Sequence, residues 1–102
     1  MRLTEIIDFL DRLQRVYDLS PGILAFLATN AMTKALGADP DKSPVNINRF
    51  VSYLTPTEKQ EWERYKQSDL PASDWLYLGS HLLGNAARIK KLEENHVRNS
   101  RD

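Results

Sequence analysis

Apolar and polar residues alternate with helical spacing over most of this chain. In the first segment, 3–17, the apolar residues fill one half of a helical wheel and the charged residues fill the other half. Pairs such as Asp8 and Arg12 place an acid four residues before a base, which is the favourable order on a helix. The pattern predicts a surface helix with one buried face.

The next segment, 20–37, reads SPGILAFLATNAMTKALG and is apolar around its whole circumference. Ser20 followed by Pro21 is typical of a helix start, and Gly37 is typical of a helix end. A helix that is apolar on every side must be covered on every side, either by other helices of the chain or by a partner. We therefore expect the helix 21–36 to lie at the centre of the fold.

Two shorter helices are predicted in the middle of the chain. The segment ADPDKSP, 38–44, is rich in proline and aspartate, which indicates a loop and makes it the first candidate for mobility. Apolar residues then recur at helical spacing over 46–54. Thr55, Pro56 and Glu58 form a capping-box pattern that starts a mainly polar helix reaching about residue 67.

The last predicted helix spans 74–97. One apolar stripe includes Trp75, Leu78 and Leu82, and a second stripe beside it includes Leu76 and Leu83. A break into two helices at Gly84-Asn85 is the alternative. Residues 98–102 are expected to form a frayed tail.

The predicted fold is therefore all-α. We expect a compact bundle of four to five helices around the central apolar helix 21–36, with residues 1–97 as a single helical domain. No segment alternates with a period of two over a useful length, so no sheet is expected.

Composition narrows the class of protein. Lys and Arg total 14 and Asp and Glu total 14, so no overall charge favours nucleic acid or a membrane surface. There is no cysteine, which excludes disulfides and thiolate metal sites. The segment MRLTEIIDFLDRL lacks the apolar run of a secretory signal, and 21–36 is shorter than the roughly 20 apolar residues of a membrane span. We expect a cytoplasmic protein that does not contact membranes.

No catalytic motif is present, so we expect neither an enzyme nor a bound cofactor or metal. His81 lies near Asp74 on one side of the last helix, and this pair is the one enzymatic alternative, which requires a concave pocket around His81. We interpret His81 as a partly buried polar residue bonded to its surroundings. His96 stands near a helix end, where a cation complements the helix dipole.

Aromatic residues are concentrated between positions 53 and 77, where Trp and Tyr side chains favour an interface with another protein. They are also ordinary core residues, and that alternative stays open. The candidate interface residues are Tyr53, Trp62, Tyr65, Trp75 and Tyr77. We therefore expect a small non-catalytic helical protein, a regulator, inhibitor or assembly subunit, that binds another protein or a second copy of itself.

A basic stretch near the end of the chain supports an alternative function. Its cations can follow a phosphate backbone without reading bases, for example within a ribonucleoprotein. They also suit the C-terminal end of a helix for dipole reasons. The candidate residues are Arg88, Lys90, Lys91, Arg98 and Arg101.

Overall fold

The computed structural model describes residues 1–38 and 45–99, without the side chains of residues 45, 46 and 96–99. Within these ranges the chain forms five helices and no strand. The helices are α1 (Leu3–Tyr17), α2 (Pro21–Ala35), α3 (Val45–Ser52), α4 (Pro56–Lys66) and α5 (Ala72–Asn99). The prediction of an all-α bundle of four to five helices is confirmed.

Local capping signals set the starts of two helices. The Ser20 hydroxyl accepts a hydrogen bond from the backbone N–H of Ile23 at 3.3 Å, at the start of α2. At the start of α4, the Thr55 hydroxyl accepts from the N–H of Glu58 at 3.2 Å, and the Glu58 carboxylate accepts from the N–H of Thr55 at 2.9 Å. The predicted capping box is therefore present.

The last helix is continuous through Gly84 and Asn85. Its 28 residues extend over about 42 Å at 1.5 Å per residue. It includes Arg98 and Asn99, which the sequence analysis assigned to the tail, whereas 100–102 lie outside the described residues. Of the predicted loop 38–44, only Ala38 is described.

The closest helix packing joins α2 to α5, which run antiparallel. A Cβ atom at Gly79 would lie only 3.0 Å from Cγ of Met32, so the two backbones approach closely there. Further along, Nζ of Lys34 lies 4.5 Å from the ring centroid of Trp75. All five helices contribute buried side chains to one apolar core, including Phe9, Leu24, Ile47, Trp62 and Leu78.

Within this chain alone, the other helices do not cover α2 on every side. Leu24, Leu27 and Ala28 face the core, but Phe26 is exposed and Leu36, at the C-terminal end, is 84% exposed. The physical reason is that α2 and α5 lie side by side, so each of them keeps an outer side that no described helix covers. None of the helices in 1–38 and 45–99 combines the length and the apolar composition needed to cross a membrane.

Candidate functional site

Three of the five candidate interface aromatics are buried in the core. Trp62 and Tyr65 on α4 and Trp75 on α5 each keep 5% exposure or less. Their rings form a contact series, tilted from Trp62 to Tyr65 with a centroid distance of 5.3 Å and edge-to-face from Tyr65 to Trp75 with a centroid distance of 6.2 Å. These rings attach the otherwise polar α4 to the core, as in the core alternative that the sequence left open, so in the free chain they are not exposed to a partner.

The side chain of Lys34 packs against the edge of this aromatic series. Nζ of Lys34 lies over the rings of Trp75 and Tyr65 and donates a hydrogen bond to the backbone carbonyl of Lys66 at 2.6 Å. Burial raises the pKa of Tyr65 above its ordinary value. The series is thus a structural unit that joins α2, α4 and α5.

The other two candidate aromatics lie at the surface. Tyr53, just after α3, is 70% exposed, and Tyr77, on α5, is 60% exposed. Their contact with a partner stays a prediction.

A larger apolar surface is formed by the outer sides of α2 and α5. On α5, Leu76 is 49% exposed and Leu83 is 42% exposed. They lie one turn before and one turn after Gly79, so Met32 of α2, which packs on Gly79, lies between them. We call this surface the α2–α5 outer face, and it comprises Ala25, Met32, Leu36, Leu76, Leu83 and Ala87.

Polar residues on the outer side of α2 satisfy their own hydrogen bonds. The Thr29 hydroxyl donates to the carbonyl of Ala25 at 2.9 Å, and the Thr33 hydroxyl donates to the carbonyl of Thr29 at 2.8 Å. These hydroxyl donors therefore do not depend on water. The sequence showed Leu76 and Leu83 as a second stripe, but periodicity alone did not indicate which stripe the fold leaves exposed.

His81 is bonded to a residue that the sequence analysis did not associate with it. Its Nε2 lies 2.9 Å from Oδ1 of Asp11 on α1, and Asp74 is not among its partners. Neighbouring Asn85 is buried and donates from Nδ2 to Asp11 at 3.2 Å and to Oε1 of Gln14 at 2.9 Å. The interpretation of His81 as a partly buried residue bonded to its surroundings is confirmed.

The surface beside this cluster is an open groove of about 510 Å³. It is lined by acidic, basic and amide side chains, and His81 is not among its lining residues. The lining residues are Asp8, Asp11, Arg12, Gln14, Arg15 and Asn85. No group of three or more metal-ligating side chains is found in the described part of the chain. The cluster is suited to holding α1 against α5 by hydrogen bonds.

A second polar contact links α1 to α4. The hydroxyl of Tyr17 donates to the carboxylate of Glu58, which also accepts from the N–H of Thr55. The Tyr17 hydrogen bond, followed by that from Thr55, lowers the pKa of Glu58. The same bond to Glu58 is the main cause that raises the pKa of Tyr17.

The candidate basic residues are placed only in part. Arg88 donates a hydrogen bond to Oδ1 of Asn85 and so joins the polar cluster between α1 and α5. Lys90 and Lys91 are exposed on α5. The side chain of Arg98 and the whole of Arg101 lie outside the described residues.

The described residues thus present two features on which a function can rest: the α2–α5 outer face and the exposed pair Lys90 and Lys91. Comparisons of the chain with models of protein families, with curated proteins and with solved structures found no match. The geometry of these surfaces is therefore the basis for a functional assignment.

Proposed function

We propose that this protein acts without catalysis, by binding another protein through the α2–α5 outer face. The proposal rests on the exposure of Leu76 and Leu83 of α5, which lie on either side of Met32 of α2 where the two helices pack closely. Exposed apolar side chains grouped on one surface are typical of interaction sites in soluble proteins. The proposed location remains the cytoplasm.

The energy available on this surface supports binding. Complete burial of a leucine side chain is worth about 1.5–3 kcal/mol. Leu76 and Leu83 are each close to half exposed, so a partner that covers both gains roughly 1 kcal/mol from each of them. The partner also covers Leu36, and the Thr29 and Thr33 hydroxyl donors need no new acceptor because each already has one.

The test compares the native chain with a variant that carries Leu76→Asp and Leu83→Asp. Both positions are exposed in the free chain, so the variant should keep its helical circular dichroism. Leu92→Asp is the matched control, because Leu92 is exposed on the same helix but outside the outer face. Binding is measured by sedimentation for self-association and by affinity capture from the native host for other partners.

We expect the native chain and the control either to sediment with a mass above the 11.7 kDa of one chain or to retain the same partner protein. The double variant should sediment as a monomer in the first case and should not retain the partner in the second. If the native chain sediments as a monomer and all three chains retain the same proteins, the proposed function is wrong.

Contact with a nucleic-acid backbone is the second candidate function. Lys90 and Lys91 support it, because both are exposed. Glu93 and Glu94 follow them after Leu92, and Arg88 is bonded to Asn85, so the candidate ranks below protein binding. A mobility shift that weakens steeply with salt, and that is lost in a Lys90→Glu, Lys91→Glu variant, is the expected result. Unchanged binding by that variant would exclude this contact.

A further inference from the structure

A cavity of about 420 Å³ that is open to solvent lies at the surface where the end of α1, the start of α2 and α3 meet. Its volume is in the range of small-molecule sites, roughly 300–1,000 Å³. Leu19, Ile23 and Phe50 supply apolar lining. Leu19 and Phe50 are buried and Ile23 is half-buried, so this part of the cavity belongs to the packed core.

Two tyrosines line the cavity together with this apolar floor. The ring of Tyr17 packs edge-to-face on Phe50 with a centroid distance of 5.7 Å, and its hydroxyl is held by Glu58. Tyr53 lies one turn after Arg49, so the two side chains extend from the same side of the chain. Tyr17 is therefore held by its contacts, whereas Tyr53 is exposed at the edge of the cavity.

Charges of opposite sign also line the cavity. Asp18 ends α1 with a left-handed backbone (φ 51°), and Arg49 lies on α3. Both are exposed, and within the described ranges neither side chain has a hydrogen-bond or ion-pair partner. An exposed acid and an exposed base that line one cavity without pairing leave two charged groups free for a ligand.

We propose that this cavity binds a small zwitterion with an apolar body, which is the chemistry of a free α-amino acid with an apolar or aromatic side chain. Arg49 binds the carboxylate by charge-assisted hydrogen bonds, and Asp18 accepts hydrogen bonds from the ammonium group. The apolar body lies on Leu19, Ile23 and Phe50. This site is separate from the α2–α5 outer face and does not depend on the proposed function.

Three probes of the same aromatic body test the two charges separately. They are L-phenylalanine, which carries both charges, 3-phenylpropionate, which lacks the ammonium group, and phenethylamine, which lacks the carboxylate. Each is titrated into the full chain while backbone amide shifts are followed by NMR. We expect saturable shifts at Leu19, Ile23 and Arg49 with L-phenylalanine, and weaker binding by about tenfold with each of the other probes.

Matched arginine variants test the assigned role of the guanidinium. Arg49→Gln should weaken the binding of L-phenylalanine by about tenfold or more, while leaving the weak binding of phenethylamine unchanged. Arg64→Gln, at an exposed position of α4 that does not line the cavity, should change neither.

The absence of saturable shifts in the native chain at millimolar L-phenylalanine overturns the proposal. Equal binding of L-phenylalanine and 3-phenylpropionate also overturns it, because Asp18 would then have no role. The double variant Leu76→Asp, Leu83→Asp should bind L-phenylalanine as the native chain does, which separates this outcome from the test of the outer face.

Discussion

The close contact between α2 and α5 makes Gly79 the most informative position for a stability measurement. A methyl group at Gly79 would meet Cγ and Cε of Met32 at 3.0 and 3.1 Å and the carbonyl oxygen of Ala28 at 3.4 Å. A methyl group at Gly84, five residues later in the same helix, would meet only the end of the Arg88 side chain, at 3.8 Å. The same substitution therefore has different consequences at the two positions.

The expected magnitudes follow from two opposing effects. Alanine is favoured over glycine in a helix interior by about 0.5–1 kcal/mol. At Gly84 this gain is realised in full. At Gly79 it is offset by crowding against Met32, because added methyl groups in packed regions typically cost about 1–3 kcal/mol. We therefore expect Gly84→Ala to raise the free energy of unfolding by about 0.5–1 kcal/mol and Gly79→Ala to leave it unchanged or lower it by up to about 2.5 kcal/mol.

A double-mutant cycle isolates the crowding. In a Met32→Ala background the flexible side chain is gone, so Gly79→Ala should become stabilising by about 0.5–1 kcal/mol, as at Gly84. Urea unfolding is followed by the fluorescence of the buried residues Trp62 and Trp75, and a change of 1 kcal/mol should also shift the midpoint of thermal unfolding by roughly 4–8 °C.

Two results would contradict the close approach of α2 and α5. The first is equal stabilisation by Gly79→Ala and Gly84→Ala in the native background. The second is an effect of Gly79→Ala that is the same with and without Met32. Either result would mean that the space above Gly79 is open.

Three further predictions concern the core and the polar contacts. Leu82→Ala should lower the free energy of unfolding by about 2–5 kcal/mol, because Leu82 is fully buried, whereas Leu92→Ala at its exposed site should change it by less than about 0.5 kcal/mol in the same urea titration. The hydrogen bond from Tyr17 lowers the pKa of Glu58 in the folded chain. The bond therefore stabilises the fold above the ordinary carboxylate pKa, and this stabilisation is lost as the pH falls through the pKa of the folded chain. Tyr17→Phe should make the free energy of unfolding less dependent on pH on the acid side, and an unchanged pH profile would argue against the bond. Asn85→Ala should cost about 0.5–1.5 kcal/mol, since it removes the hydrogen bonds of the buried Asn85 amide to the half-buried side chains of Asp11 and Gln14, and a neutral effect in thermal unfolding would show that the polar cluster contributes nothing.

The sequence by itself determined the helices and most of their bounds. Ser20 with Pro21, and Thr55 with Pro56, start α2 and α4 where the capping patterns predicted, and α1 covers the predicted range 3–17. These signals are local, because a cap and an apolar stripe involve residues within one or two turns of each other. The one local ambiguity, at Gly84-Asn85, was decided by packing: Asn85 and its neighbour Ala86 are buried against the rest of the chain, which keeps α5 continuous.

The tertiary structure decided which surfaces remain free. His81 and Asp11 are separated by 70 residues, and no periodicity relates positions so far apart. Likewise, Trp75 and Leu76 are adjacent apolar residues of α5, and the placement of α4 and α2 buries the first and leaves the second exposed. Burial depends on which helices come together, a property of the whole chain, whereas helix formation depends on neighbouring residues.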